Sequence, residues 1–275
     1  MFTKTIDLRV EGSQEYASMD VYILDRYDVI AMQERPLVIV CPGGGYEYTS
    51  PREGEMIALQ FAAKGYHAAV VHYSCAPSVF PTANYELGKA FIYLRKQAAK
   101  WHIDPDKIVP IGFSAGGHMV ASYCMFWKKE YMAAALDCDS EELRPNGMML
   151  GYPVITSGEY AHRGSIQNLL GEKCEDEEML HLVSLEYQVN EDVPRTFLWG
   201  TYEDRSVPVQ NSLYLLNALV AKGIPVEYHL YEKGEHGLSL GNKTTSHDGV
   251  NQIVPSMQSW IDRALDWMDR IGSTS

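Results

Sequence analysis

Residues 108–121 read Ile108-Val109-Pro110-Ile111-Gly112-Phe113-Ser114-Ala115-Gly116-Gly117-His118-Met119-Val120-Ala121. A short apolar run ends in Gly-x-Ser-x-Gly, and a segment suited to a helix follows at once. Strand, tight turn and helix in that order are the setting in which a serine sits on a strained turn above the end of a sheet. Small residues on both sides of Ser114 let the backbone fold tightly while the hydroxyl projects. The helix N-terminus beneath it favours negative charge. The five-residue pattern alone is weak and could be a chance glycine-rich turn; its flanks single out Ser114 as the candidate nucleophile.

The same alternation continues on either side of this stretch. Continuous apolar runs recur at Leu37–Cys41, Ala68–Val71, Met148–Leu150, Thr196–Trp199 and Val226–Leu230. Unbroken apolarity is what a strand shows when both faces of its sheet are covered. Between the runs lie helical patterns: Leu87, Phe91 and Leu94 share one face, as do Leu213, Leu216 and Val220. Val254, Met257, Ile261, Ala264, Leu265 and Met268 make the last segment amphipathic. Each stripe reads as core contact. Ser50-Pro51-Arg52-Glu53 has the form of a capping box that opens a helix toward Ala63. Residues 6–10 and 19–24 alternate and suggest an antiparallel pair on one edge. The expected architecture is α/β: a mostly parallel eight-stranded sheet with helices on both faces, in one domain spanning 1–275. Residues 156–192, after strand six, carry no buried strand, only helical pieces at Ile166–Leu170 and Glu177–Val183. That is long for a connection and predicts a small cap-like insertion.

Composition narrows the function classes. Lys plus Arg number 23 against 36 Asp plus Glu, a net charge of −13, which repels nucleic-acid backbones and anionic lipid surfaces. Met1–Asp7 lacks the apolar stretch of a signal peptide, and no apolar run reaches the roughly 18 residues of a membrane span. The five cysteines, Cys41, Cys75, Cys124, Cys138 and Cys174, form no CxxC pair and no zinc-like cluster. Free thiols in a reducing cytoplasm are expected. Exposed edge strands and Met- and aromatic-rich helices would suit a homo-oligomer, though no interface is legible.

A serine hydroxyl needs a base to take its proton and a third group to orient that base. On this kind of scaffold the acid and then the histidine should follow the serine in the chain. Asp204 lies just past the run Thr196–Trp199, where an α/β sheet gathers its site residues, with Glu203 beside it as competitor. His236 lies between glycines in Lys233-Gly234-Glu235-His236-Gly237, after the last predicted strand. His118 precedes the acid and fails the order; His247, in a polar downstream loop, is the rival. Cys41-Pro42-Gly43-Gly44-Gly45-Tyr46 ends an early buried strand, where backbone N–H groups could face a developing oxyanion together with that of Ala115. A phosphate-cradling reading of this loop is weak, because no Gly-Lys-Ser/Thr follows.

Several of these stretches together resemble the bacterial esterase branch of the α/β-hydrolases, which includes acetyl esterases, acetylxylan esterases and feruloyl-esterase-like enzymes. The chain is similar, more distantly, to hormone-sensitive-lipase-type esterases. The resemblance runs from about Pro36 to Trp267. It rests on Pro42-Gly43-Gly44-Gly45-Tyr46, on Tyr73-Ser74-Cys75-Ala76-Pro77 with Phe80-Pro81, on Ile103-Asp104-Pro105 leading to Gly112–His118, on Asp204 three residues before Val207-Pro208, and on His236-Gly237-Leu238. It implies the α/β-hydrolase fold, Gly44, Gly45 and Ala115 as oxyanion donors, and Asp204 rather than Glu203 as the acid. Pro42 stands where the lipase-like group carries His, which weakens any transfer of lipase substrate preference.

The expectation is therefore a serine carboxylesterase acting by Ser114, Asp204 and His236 on a small-molecule ester, without metal or organic cofactor. Tyr46, Tyr48 and Phe80 are the candidates to line its pocket. The modest insertion favours short acyl groups, with acetylated sugars in view. The rivals are a peptidase of prolyl-oligopeptidase type, for which a propeller is missing, and a silent binding scaffold, for which all three chemical positions are unexpectedly filled.

Overall fold

The apolar runs become the centre of one eight-stranded sheet. The computed structural model describes residues 1–271. Its strands are β1 (Phe2–Asp7), β2 (Ser18–Ile23), β3 (Arg35–Cys41), β4 (His67–His72), β5 (Ile103–Phe113), β6 (Met148–Gly151), β7 (Thr196–Thr201) and β8 (Val226–Tyr231). Their spatial order is β1-β2-β4-β3-β5-β6-β7-β8. β2 pairs antiparallel with β1 and β4, and every other pairing is parallel. With helices on both faces this is the α/β-hydrolase architecture that the sequence led us to expect.

Side chains alternate across β3. Leu37, Ile39 and Cys41 enter one core, with α2 (Thr82–Trp101), α3 (Ala115–Phe126) and α7 (Gln210–Ala221). Val38 and Val40 enter the other, under α1 (Glu55–Ala63) and α8 (Trp260–Asp269). Burial on both faces is the physical cause of the continuous apolar runs. Trp199 of β7 stacks on Trp260 of α8 with ring centroids 4.8 Å apart, joining the sheet to its last helix.

Three local expectations are corrected. The edge pair starts earlier than 6–10, because Thr3 to Ile6 already pair with residues of β2. The capping box at Ser50 does not form: Pro51–Glu53 is a single 3-10 turn, α1 begins at Glu55, and the Ser50 side chain caps nothing. The Glu53 carboxylate is instead drawn inward by other donors. On α7 the buried positions are Asn211, Ser212, Leu215 and Leu219, whereas Leu213 and Val220 are 37% and 62% exposed. The reason is polar. Asn211 Oδ1 accepts from the N–H groups of Ile155 (2.9 Å) and Thr156 (3.1 Å), and its Nδ2 donates to Tyr160 O (2.9 Å). That anchor turns the helix so that Leu215, not Leu213, meets the core. Leu215→Ala should accordingly cost about 2–5 kcal/mol, and Leu213→Ala no more than about 0.5 kcal/mol. Urea unfolding of the two variants checks the register; equal losses would contradict it.

Residues 156–192 follow β6 and hold α5 (Arg163–Leu170) and α6 (Glu177–Val183), the two helical pieces expected there. Ile166, Leu169, Leu170, Val183 and Leu185 bury their side chains in the core alongside α3. Among the described residues no helix is long and apolar enough to cross a membrane, and the five cysteines are unpaired.

Candidate active site

β5 delivers Ser114 at φ 53° and ψ −119°, a left-handed conformation at the start of α3. Such strain persists only where the surroundings over-determine it. Here Gly116 allows the turn to close, since a Cβ on it would stand 2.3 Å from the carbonyl oxygens of both Cys41 and Pro42. The turn is locked from the far side as well: Ser114 O accepts from Val154 N–H at 3.0 Å, and Ser114 N–H donates to Gly151 O at 3.1 Å.

Loops at the C-terminal ends of β7 and β8 bring the other two residues to it. Ser114 Oγ lies 2.7 Å from His236 Nε2, and His236 Nδ1 lies 2.6 Å from Asp204 Oδ2. The second carboxylate oxygen of Asp204 accepts from the N–H groups of Ser206 (3.0 Å) and Val207 (2.9 Å). With both oxygens occupied and the side chain only 2% exposed, the carboxylate is fixed. A carboxylate only accepts, so it sets the imidazole tautomer: Nδ1 carries the proton and Nε2 offers its lone pair to Ser114. The Tyr152 ring meets His236 edge-on, centroids 5.1 Å apart, and holds it from one side.

Among the described residues none of the rivals is hydrogen-bonded to Ser114 or His236. Glu203 is exposed; Lys233 Nζ donates to it at 2.6 Å and Gly234 N–H at 3.3 Å, and the Lys233 hydrogen bond lowers its pKa. His118 is fully buried, 2.9 Å from both Tyr46 Oη and Val183 O, and burial pushes its pKa down to about 4. Neutral His118 therefore donates through Nε2 to Val183 O and accepts from Tyr46 at Nδ1. His247 stands on the cavity wall, 3.2 Å from an Arg52 guanidinium nitrogen.

The glycine-rich loop lies against Ser114. Gly44 has φ 124°, and a Cβ there would stand 2.1 Å from Tyr48 O, so only glycine fits. Among the described residues no backbone acceptor takes the N–H groups of Gly44, Gly45 or Ala115. Gly43 N–H, by contrast, donates to Glu53 Oε2 at 2.8 Å.

The cavity above Ser114 has a volume of about 350 Å³. Its wall includes Tyr48, Ser50, Arg52, His162, His247 and Gln252, all polar. Of the three aromatics expected there, Tyr48 is present and 57% exposed. Tyr46 is not: its backbone is left-handed at φ 58°, and its ring lies in the core against Tyr73 and His118. Phe80 is not either. Its N–H donates to Leu169 O at 2.8 Å, which tacks it beside α5, where it packs on Phe126 and lines a separate groove with Pro77 and Met179.

Sequence reasoning missed His162, Arg52, Gln252, Glu53 and Tyr152. Tyr152 alone carried a signal, since it directly follows a buried strand at the sheet end where site residues collect. Burial lowers the pKa of His162, and the nearby His236 lowers it further. Among the described residues no group of three or more His, Cys, Asp or Glu is placed to hold a metal ion.

The BD-FAE family model matches residues 19–219. The chain is 37% identical to endo-1,4-beta-xylanase B of Butyrivibrio fibrisolvens over 215 residues, covering 76% of this chain and 33% of that protein. It is 29% identical to an acetylxylan esterase of Xylanibacter ruminicola over 231 residues, 82% of this chain and 45% of that one. The chain thus spans less than half the length of these two relatives. Among solved structures, the carboxylesterase Cest-2923 of Lactobacillus plantarum superposes with a TM-score of 0.85 at 28% identity, over 100% of both chains.

Proposed function

The chain belongs to the BD-FAE family, among the α/β-hydrolase esterases, and from that premise we propose that it is a serine carboxylesterase for short acyl groups, acetyl above all, carried on sugar-like alcohols. The observation that carries the reading is the unbroken hydrogen-bond chain from Ser114 through His236 to Asp204 at the floor of a polar-walled cavity.

Ser114 Oγ attacks the ester carbonyl while His236 Nε2 takes its proton. The carbonyl oxygen becomes an oxyanion facing the N–H groups of Gly44, Gly45 and Ala115, which no backbone acceptor takes among the described residues. Preorganised donors of this kind contribute without reorganising during the reaction. The intermediate collapses, the C–O bond to the alcohol breaks, and His236 returns its proton to the leaving oxygen. Water, deprotonated by the same imidazole, then attacks the acyl-enzyme; the bond from the acyl carbon to Ser114 Oγ breaks, His236 returns the proton to Oγ, and the acid leaves. Asp204 stays ionised throughout and steadies the imidazolium.

The small volume supports a short acyl chain. The hydroxyl, guanidinium, imidazole and amide groups of the wall support a polyhydroxyl alcohol, since each can exchange hydrogen bonds with water for hydrogen bonds with sugar hydroxyls. The name of the Xylanibacter ruminicola relative, acetylxylan esterase, points the same way. In this reading residues 156–192 form a cap-like insertion of one domain, contributing His162 to the wall. The unpaired cysteines support a reducing, cytoplasmic setting.

Rates over p-nitrophenyl acetate, butyrate and octanoate, together with acetylated xylo-oligosaccharides, test the specificity. The expected result is a kcat/KM for acetate at least about tenfold above octanoate, a difference of roughly 1.4 kcal/mol in transition-state binding, and release of acetate from the oligosaccharide. Faster cleavage of octanoate would remove the small-pocket reading.

A further inference from the structure

Glu53 is a buried carboxylate, 3% exposed, with no ion pair among the described residues. Burying a charge without a counter-ion is costly unless hydrogen bonds replace its water. Its two oxygens are each taken by a different part of the site. Oε2 accepts from Gly43 N–H at 2.8 Å, immediately before Gly44 and Gly45, the proposed oxyanion donors. Oε1 accepts from Tyr152 Oη at 2.5 Å.

Tyr152 carries the connection onward. Its Oη accepts from Ser239 N–H at 3.0 Å, three residues beyond His236, and its ring lies edge-on against the His236 imidazole. The neighbouring carbonyl of Arg52 accepts from Ser239 Oγ at 2.7 Å. The short turn Pro51–Glu53 thereby joins two loops that arrive from opposite parts of the chain, the glycine loop after β3 and the histidine loop after β8.

We propose that Glu53 is a positioning residue for the hydrolysis proposed above, setting the distance between the oxyanion donors and the Ser114–His236 pair through Gly43 and Tyr152. The inference rests on that reading of the site. A side chain that merely filled space here would need no charge, and a helix cap would have satisfied the donors of α1. Glu53 does neither. Its negative end lies between two neutral donors, each belonging to a segment that must hold its place when charge develops at the carbonyl oxygen.

The test compares Glu53→Ala, Glu53→Gln and Tyr152→Phe with wild type and Ser114→Ala. Folding is followed by thermal melting and kinetics by p-nitrophenyl acetate well below the melting temperature. Misplacing reacting groups by an ångström costs up to about 100-fold in rate, so Glu53→Ala should lower kcat by about 10- to 100-fold with KM changed less than about threefold. Glu53→Gln keeps one acceptor oxygen for Gly43 and should recover part of that loss. Tyr152→Phe, which breaks the link to the histidine loop only, should show a smaller fall in kcat, again with KM held. If Glu53→Ala does not fold, the other two variants decide by the same split. A lower melting temperature with wild-type kcat in Glu53→Gln and Tyr152→Phe would overturn the inference and leave a structural strut. Loss of turnover in Ser114→Ala alongside that result would leave the esterase reading intact, whereas turnover surviving Ser114→Ala would remove both.

Discussion

Ser114→Ala is expected to abolish ester hydrolysis, by about a millionfold in kcat where the assay can follow it, while leaving the fold in place. The argument has two halves. Chemically, the hydroxyl 2.7 Å from His236 Nε2 is the nucleophile of the proposed first step, and among the described residues no other hydroxyl makes a hydrogen bond with His236. Without it neither the acyl-enzyme nor the base's first proton exists, and what remains is whatever the glycine loop adds to attack by water. Structurally, alanine tolerates the φ of 53° no worse than serine does, and the backbone hydrogen bonds of residue 114 to Gly151 and Val154 are untouched. The melting temperature should therefore stay close to that of the wild type, since a strained functional residue contributes little to stability. Reaction with a fluorophosphonate probe should vanish together with turnover. A probe adduct on the variant would place the nucleophile elsewhere, and unreactive wild-type protein would favour a silent scaffold.

The sequence was informative wherever one residue's environment is dictated by its immediate neighbours. Gly112–Gly116 is legible because the turn itself imposes the glycines; a Cβ at Gly116 would sit among backbone oxygens of β3 and the loop after it. Buried strands are legible because both faces of the sheet are covered, so apolarity is continuous. His236 and Asp204 were found by chain order, which follows from which strand ends point at Ser114. The failures share a different cause. Tyr46 and Phe80 are candidates for the pocket from sequence, with core packing the competing reading for each aromatic. What decides their direction is a hydrogen bond to a residue distant in sequence, His118 for Tyr46 and Leu169 for Phe80. Glu53 matched the spacing of a capping box, yet its carboxylate answers to Gly43 and Tyr152, the latter 99 positions away in the chain. On α7 the apolar stripe differs from the one expected because Asn211, a polar residue, is buried together with Leu215 and Leu219. Local pattern fixes elements; long-range polar partners fix which way their faces turn.

Replacing each of the two adjacent carboxylates separates these kinds of information most sharply. Asp204→Asn should lower kcat by about 10⁴-fold near neutral pH, and Glu203→Gln should leave kcat within about a factor of two, because the exposed Glu203–Lys233 pair is screened by solvent and makes no contact with His236 or Ser114. The asymmetry follows from geometry. Asparagine is nearly the same shape as aspartate, and its carbonyl oxygen can keep the N–H groups of Ser206 and Val207. That choice turns its amide nitrogen, a donor, toward His236 Nδ1 at the place where an acceptor stood. The imidazole must then accept at Nδ1 and carry its proton on Nε2, the atom facing Ser114, where it can no longer take the serine proton. No carboxylate remains to balance the imidazolium of the transition state either. Glu203 touches none of this: its bonds run to Lys233 and Gly234 at the base of the histidine loop. Single-turnover rates of acyl-enzyme formation in the two variants make the comparison. A large loss in Glu203→Gln with a mild one in Asp204→Asn would reassign the acid and, with it, the tautomer on which the proposed mechanism depends.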